Sequence, residues 1–136
     1  MQVLNIRLGV YVAIGCLALV GCGPSGRAEV SGHVTLAGQP LPDGMVTFRP
    51  TAETSGPEFS GTIAGGEYKV AKPSLPGTYA VEVRAWKKTG RIVKSPFGID
   101  TDEIVSAVPQ RYWGPQTELR AQLQPGPNTV HFDLQP

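Results

Sequence analysis

The chain has few side chains of the types that carry out chemistry. Its 136 residues include two histidines, His33 and His131, and two cysteines, Cys16 and Cys22. Both histidines fall at outward positions of alternating strand patterns, so they would share a site only if the first and last strands were neighbours. Zinc requires three or four ligands, and the sequence has no nucleophile elbow and no phosphate-binding glycine run. We therefore predict no catalytic residue, no metal site and no cofactor.

Two clusters of charge lie in the second half of the chain. Three carboxylates occur within residues 100–103, DTDE, but without the spaced pattern of a calcium loop, so a charged loop surface is predicted. The basic cluster contains Lys87, Lys88 and Arg91, with Lys94 just beyond. It is either a solvated turn or a contact for anionic lipid head groups or envelope polysaccharide.

Four aromatic residues flank or lie within the same region. They either fold back over an open end of the domain or form a platform for a glycan or a protein partner, because aromatic rings combine large apolar area with a low ordering cost. With the basic cluster, they make up the candidate binding surface: Trp86, Lys87, Lys88, Arg91, Phe97, Tyr112 and Trp113.

The start of the chain has the features of an export signal. Arg7 precedes an uncharged run, Leu8–Val20, which is too short for a comfortable membrane span. The run ends in residues 19–22, LVGC, which resemble the lipobox of bacterial lipoproteins. The resemblance implies cleavage between Gly21 and Cys22 and attachment of a diacylglycerol to Cys22; the alternative is a plain secretory signal.

These features predict three parts: a signal peptide at 1–21, a lipidated tether at 22–28 and one domain at 29–136. Because Gly23 follows the cysteine instead of Asp, the chain resembles lipoproteins sent to the outer membrane. We therefore expect a lipid-anchored envelope protein, facing the periplasm or the exterior, with the membrane as a partner through the lipid. Arg7 is the only charged side chain before Cys22, so the mature chain is neutral and no nucleic-acid partner is predicted.

Hydrophobic residues recur with a period of two along the rest of the chain, which predicts strands and no helix longer than a few residues. Seven strands are predicted, the fifth being the longest, and this pattern is typical of an antiparallel β-sandwich. Gly65 and Gly66 mark a hairpin, and residues 125–128, PGPN, mark a turn. Residues 87–117 are predicted to be a long loop between strands five and six, with one helical turn within Ile99–Ala107.

Three stretches carry a family resemblance. Residues 30–48, VSGHVTLAGQPLPDGMVTF, and 75–83, LPGTYAVEV, resemble the two hallmarks of carboxypeptidase-regulatory-like, or transthyretin-like, domains. Residues 108–134 are similar to the C-terminal half of small envelope lipoproteins of this type. The resemblance implies a seven-stranded Greek-key sandwich (prealbumin-like or immunoglobulin-like) with an accessory or binding role and no catalysis. Transthyretin-like hydrolases share that fold but end in a Tyr-Arg-Gly-Ser-like tail, whereas this chain ends in HFDLQP.

Overall fold

The computed structural model describes residues 26–70 and 74–136. Within them the protein is all-β, as the sequence predicted, with eleven strands and a single 3₁₀ turn at Gln110–Tyr112. The strands are β1 (Ala28–Leu36), β2 (Gln39–Pro40), β3 (Asp43–Pro50), β4 (Phe59–Ala64), β5 (Glu67–Lys69), β6 (Gly77–Arg84), β7 (Trp86–Lys94), β8 (Asp100–Ser106), β9 (Leu119–Leu123), β10 (Gly126–Thr129) and β11 (Phe132–Leu134).

Nine strands form one sheet that curls into a half-barrel, and β7 and β8 form a separate two-stranded sheet. The order in the large sheet is β10-β1-β5-β4-β3-β6-β9, with β11 and β2 also pairing to β1. Most pairs are antiparallel, but β10 and β11 lie parallel to the two halves of β1. These parallel pairs bring the last strands of the chain beside the first.

The register of the sheet gives it two distinct ends. Ala28 pairs with Gly126 and bridges Ser74, so the start of β1 lies at what we call the lower end. Leu36 lies at the opposite, upper end. Four successive antiparallel pairs lead from β1 through β5, β4 and β3 to β6, so β6 runs in the same direction as β1. The hairpin of β7 and β8 follows β6 directly and therefore leaves the sheet at the upper end.

The concave face of the sheet holds the core. Phe48 is fully buried at its centre, and its ring packs against four others, those of Phe59, Tyr68, Tyr79 and Phe132. The alternation in the sequence correctly predicted the inward side chains of the long strand β6, where Tyr79, Val81 and Val83 are buried. Burial of this apolar area is the main favourable contribution to folding.

All seven predicted strands are present, but two predictions between them were wrong. Residues 87–117 are not a long loop: β7 and β8 form a hairpin, and Ile99–Ala107 contributes a strand instead of a helical turn. Residues 125–128 were predicted as a turn, yet Gly126–Thr129 forms β10 against β1. The first error arose because a hairpin exposed on both faces has no apolar alternation for a sequence pattern to reveal.

The predicted signal peptide, the predicted cleavage between Gly21 and Cys22, and the predicted lipid on Cys22 all fall outside the described residues. Within residues 26–70 and 74–136, no helix has the length and apolar character needed to cross a bilayer.

Candidate functional site

Residues 86–106 form a hairpin that we call the arm. Its strands pair with each other and with no other strand of the described chain. The register runs from the pair Trp86 and Ser106 at the base to the pair Lys94 and Asp100 near the tip, with a bulge between Lys88 and Ile92. Nearly every residue of β7 is exposed, so the arm projects from the sheet instead of packing on it.

One face of the arm exposes a stripe of apolar side chains. Pairing places Trp86, Ile104 and Ile92 on the same face, each diagonal to the next across the two strands. Their exposed fractions are 60%, 58% and 62%, although residues of this size are usually buried. We call this surface the Trp86 face, and its other members are Lys88, Lys94, Asp100, Asp102 and Ser106. A contiguous exposed apolar surface is a common mark of an interaction site.

The two predicted charge clusters meet across the arm. Lys88 Nζ lies 2.6 Å from Asp102 Oδ2, and Lys94 Nζ lies 3.2 Å from Asp100 Oδ1. The hydrogen bond and the negative charge of Asp102 raise the pKa of Lys88. Arg91 Nε lies 3.8 Å from Glu103, which also accepts a hydrogen bond from the Thr89 hydroxyl. Among the described residues, Lys87 alone of the predicted basic cluster has no ion-pair partner.

The tip of the arm exposes an aromatic ring. Phe97 is 88% exposed, and Ile99 beside it is also exposed. Backbone hydrogen bonds from Gly98 N–H to Ser95 O and from Ser95 N–H to Ile99 O close the turn. Gly98 has a φ of 77°, a conformation that favours glycine. The turn is therefore ordered by its backbone while its apolar side chains remain in solvent.

A cleft of about 650 Å³ lies at the base of the arm. Trp86, Lys87 and Lys88 line it from the arm, and Leu36 with residues 39–43 line it from the sheet. Leu41, one of these residues, is buried. The cleft is open and mostly apolar, which suits the flat face of a ring or a short apolar side chain.

The structure separates the seven candidate binding residues into two groups. Trp86, Lys87, Lys88, Arg91 and Phe97 all lie on the arm. The other two pack back onto the body: Tyr112 is 7% exposed and its hydroxyl accepts a hydrogen bond from Gln135 N–H, while Trp113 is half-buried and donates to Val108 O at 3.1 Å. The four aromatic residues therefore do not form one platform.

Sequence reasoning missed three members of the exposed surface, Ile92, Ile99 and Ile104. The signal available was a strand-forming segment, RIVK, followed by the turn SPFG and a second strand-forming segment, TDEIVS. The polar residues in these segments hide the pattern of a hairpin, because both faces of the arm are in solvent and neither strand needs an apolar side.

A buried carboxylate lies on the face of β6 opposite the core. Glu82 is 3% exposed; its Oε1 makes a charge contact with Arg49 at 2.6 Å without hydrogen-bond alignment, and its Oε2 accepts from Arg84 at 3.1 Å. Burial by itself raises the pKa of Glu82, but the Gly114 N–H and the two guanidinium groups outweigh that effect and lower it. Arg84 also lies 5.7 Å from the centre of the Trp113 ring. This cluster connects the sheet to the segment that packs over it.

The two histidines do come together, because β11 lies beside β1. Their rings stack with centroids 5.0 Å apart and an angle of 25° between the planes, beside Glu67 and Lys69 in a shallow cleft. In-plane lone pairs of nearly parallel rings point in similar directions, so this arrangement does not converge on one metal ion. Across the described ranges, no group of three or more His, Cys, Asp or Glu residues is placed to hold a metal.

The arm is therefore the most distinctive surface of residues 26–70 and 74–136: a projecting hairpin with an apolar stripe, an aromatic tip and an open cleft at its base. Such a surface is suited to contact with a partner. No protein-family model, curated protein or solved structure matches this chain.

Proposed function

We propose that this protein is a lipid-anchored, non-catalytic binding module of the cell envelope, and that the arm is its binding element. The single observation that supports this proposal is the position of the arm: it leaves the sheet at the upper end, opposite the start of β1. The tether proposed at residues 22–28 would join the domain at Ala28, at the lower end. Lipid on Cys22 and the arm would therefore lie at opposite ends of the protein.

The lengths involved favour a partner away from the anchoring bilayer. A tether of seven residues extends over at most about 25 Å. The strand β1, with nine residues, spans about 30 Å. With the sheet upright, the base of the arm, which lies beside Leu36 at the upper end, would be about 30 Å from Ala28, farther than the tether reaches. The arm would then face the periplasm or the exterior, depending on the membrane leaflet.

The same proposal includes a relationship between this domain and transthyretin-like domains. The resemblance of residues 30–48 and 75–83 to transthyretin-like domains suggests a Greek-key sandwich ancestry with an accessory role. The paired first and last strands and the central aromatic core are compatible with such an origin.

The anchor and the arm can be tested separately. Metabolic labelling with a palmitate analogue should mark the wild-type protein, and a Cys22→Ser variant should lose both the label and its membrane fractionation. A variant in which residues 87–105 are replaced by Gly-Gly should retain the label and the membrane association. An unlabelled wild-type chain recovered in the soluble fraction would contradict the anchor.

A carbohydrate ligand is the second candidate function, and it is favoured by Trp86 beside the cleft at the base of the arm. Aromatic faces of this kind stack on sugars, and the unpaired Lys87 could contact an acidic saccharide. Trp86→Ala should then abolish binding on a glycan array, while Trp113→Ala, whose ring packs on the body, should not. Hydrolysis is less favoured, because the cleft holding His33 and His131 is lined by Glu67 and Lys69 with no arginine among its described residues.

A further inference from the structure

We infer that the arm binds a second copy of this chain by antiparallel pairing between the two β8 strands. The inference rests on the binding role proposed above for the arm, and it names the partner. A two-stranded hairpin is at best marginally stable in water, and β7 and β8 have no other strand beside them in the described chain. Pairing with another copy would supply a four-stranded sheet.

The two edges of the arm differ in how well they are protected against pairing. The outer edge of β7 contains the bulge between Lys88 and Ile92 and four cations along its length, both of which discourage pairing. By contrast, β8 is a regular strand of seven residues, DTDEIVS, without proline, glycine or lysine. It is therefore the edge available to another strand.

The chemistry of β8 selects one register. A two-fold axis perpendicular to the sheet keeps each side chain on its own face, so only residues of the same parity can stand opposite each other. Directly opposed like charges are destabilising. Registers centred on residues 100 to 103 place acidic residues against each other, through Asp100, Asp102 or Glu103. The longest register free of such pairs is centred on Ile104.

In that register the apolar stripe becomes continuous. Ile104 of each copy lies opposite its own equivalent, Asp102 lies opposite Ser106, and Glu103 lies opposite Val105. The two stripes of Trp86, Ile104 and Ile92 would then join across the axis on one face. Asp100 of each copy would be level with Val108 of the other, so the tip carrying Phe97 would reach the other body. The pairing would satisfy the free backbone edge of β8 and bring the two Ile104 side chains into contact across the axis.

Cysteine cross-linking of the full-length protein in isolated membranes tests the register. Ile104→Cys should form a disulfide-linked dimer under mild oxidation. Ile92→Cys is the matched control, because Ile92 is similarly exposed on the same face but lies on β7. In the paired dimer, the two side chains at position 92 would be at least three strand spacings apart, about 14 Å. Wild-type protein oxidised in the same way is the control for any dimer that forms through Cys16 or Cys22. Cross-linking that is equal at both positions, or absent at 104, would overturn the inference.

Charge substitution tests the same contact without a covalent bond. Ile104→Asp places two carboxylates on the axis and should weaken self-association of the detergent-extracted protein by about tenfold or more, measured by sedimentation. Ile92→Asp should leave self-association unchanged. Unaltered circular dichroism of both variants shows that the fold is retained. A wild-type protein that is monomeric at all concentrations would contradict self-association. An Ile104→Cys variant that cross-links only to a chain of different mass would show that the partner of β8 is another protein.

These outcomes are separable from the proposed function. If the Ile104→Cys protein keeps its lipid label and fails to cross-link to itself, the anchor stands and the second copy is excluded. If the label is absent while the dimer linked at position 104 forms, self-association stands and the anchor is excluded.

Discussion

His131 Nδ1 accepts a hydrogen bond from the backbone N–H of His33 at 3.0 Å, although 98 positions separate the two residues. The bond closes a gap in the ladder between β1 and the end of the chain, where β10 has ended and β11 has not yet begun. The imidazole of His131 therefore takes the place of a backbone carbonyl at this junction.

We expect His131→Ala to lower the free energy of unfolding by about 0.5–1.5 kcal/mol, the usual contribution of one hydrogen bond. The matched variant is His33→Ala, which loses the stacked ring but keeps the backbone N–H and its bond to His131. It should cost less. Urea unfolding of both variants measures the difference, and equal losses would assign the effect to ring stacking instead.

Gly32 leaves room for the crossing from β10 to β11. A Cβ at this position would overlap the carbonyl of Val130, which accepts a hydrogen bond from the Tyr68 hydroxyl at 2.7 Å. Since the clash is with backbone, Gly32→Ala should destabilise the fold by about 1–3 kcal/mol or more. Gly26→Ala, which meets nothing within 4 Å, should leave the midpoint of thermal unfolding unchanged. Similar midpoints for the two variants would show that Val130 can move aside.

Glu82 makes the stability of the protein sensitive to acid. Its pKa in the folded state is below the ordinary value of 4.5, because the Gly114 N–H, Arg84 and Arg49 favour the charged carboxylate. The stabilisation is therefore complete above about pH 4.5 and is lost as the pH falls through the lower, folded-state pKa. Glu82→Gln should be less stable at neutral pH and should show a flatter loss of stability as the pH falls below about 4.5.

The control for Glu82 is Glu58, which contacts the same Arg49 at 3.4 Å but is largely in solvent. Exposed ion pairs contribute about 0–1 kcal/mol, so Glu58→Gln should change stability little at any pH. Removing one partner of a fully buried pair costs about 3–5 kcal/mol. Glu82→Ala should cost less than that but more than Glu58→Gln, because Arg49 and Arg84 keep 40% and 49% of their side chains in solvent. Equal effects of the substitutions at 58 and 82 would argue that solvent reaches the Glu82 carboxylate in solution.

The arm should be dispensable for folding. Trp86 and Ser106 are paired at its base, so Gly-Gly can replace residues 87–105 without moving the chain on either side. Shortening a loop lowers its closure cost by about 0.6 kcal/mol for each halving, so thermal stability should be unchanged or slightly higher. Calorimetry measures this directly. A large loss of stability would show that the arm packs on the sheet.

Local patterns were sufficient to predict much of this fold. Alternation revealed the inward positions of β6 and the apolar residues of β3, since these strands have one face in the core and one in solvent. It did not reveal β7, β8 or β10. The first two have both faces in solvent, and the third contains glycine and proline and exists through its parallel pairing with β1.

The candidate site divides in the same way. The sequence identified Trp86, Phe97 and the basic cluster as unusual, because large apolar and charged residues stand together there. It did not reveal that the acidic cluster neutralises the basic one, which depends on the cross-strand register of the arm. Nor did it distinguish the exposed Phe97 from the buried Tyr112, because both aromatic residues lie in polar surroundings in the sequence.

By itself, the sequence determined the all-β class, the seven strands with one apolar face, and the expectation of an exported, neutral module. Each of these depends on neighbouring residues alone. The tertiary structure decided that the chain's two histidines meet, that Glu82 is buried among arginines, and that the arm stands free at the upper end. Those arrangements depend on pairing between residues far apart in the chain, and no local period encodes which strand will lie beside which.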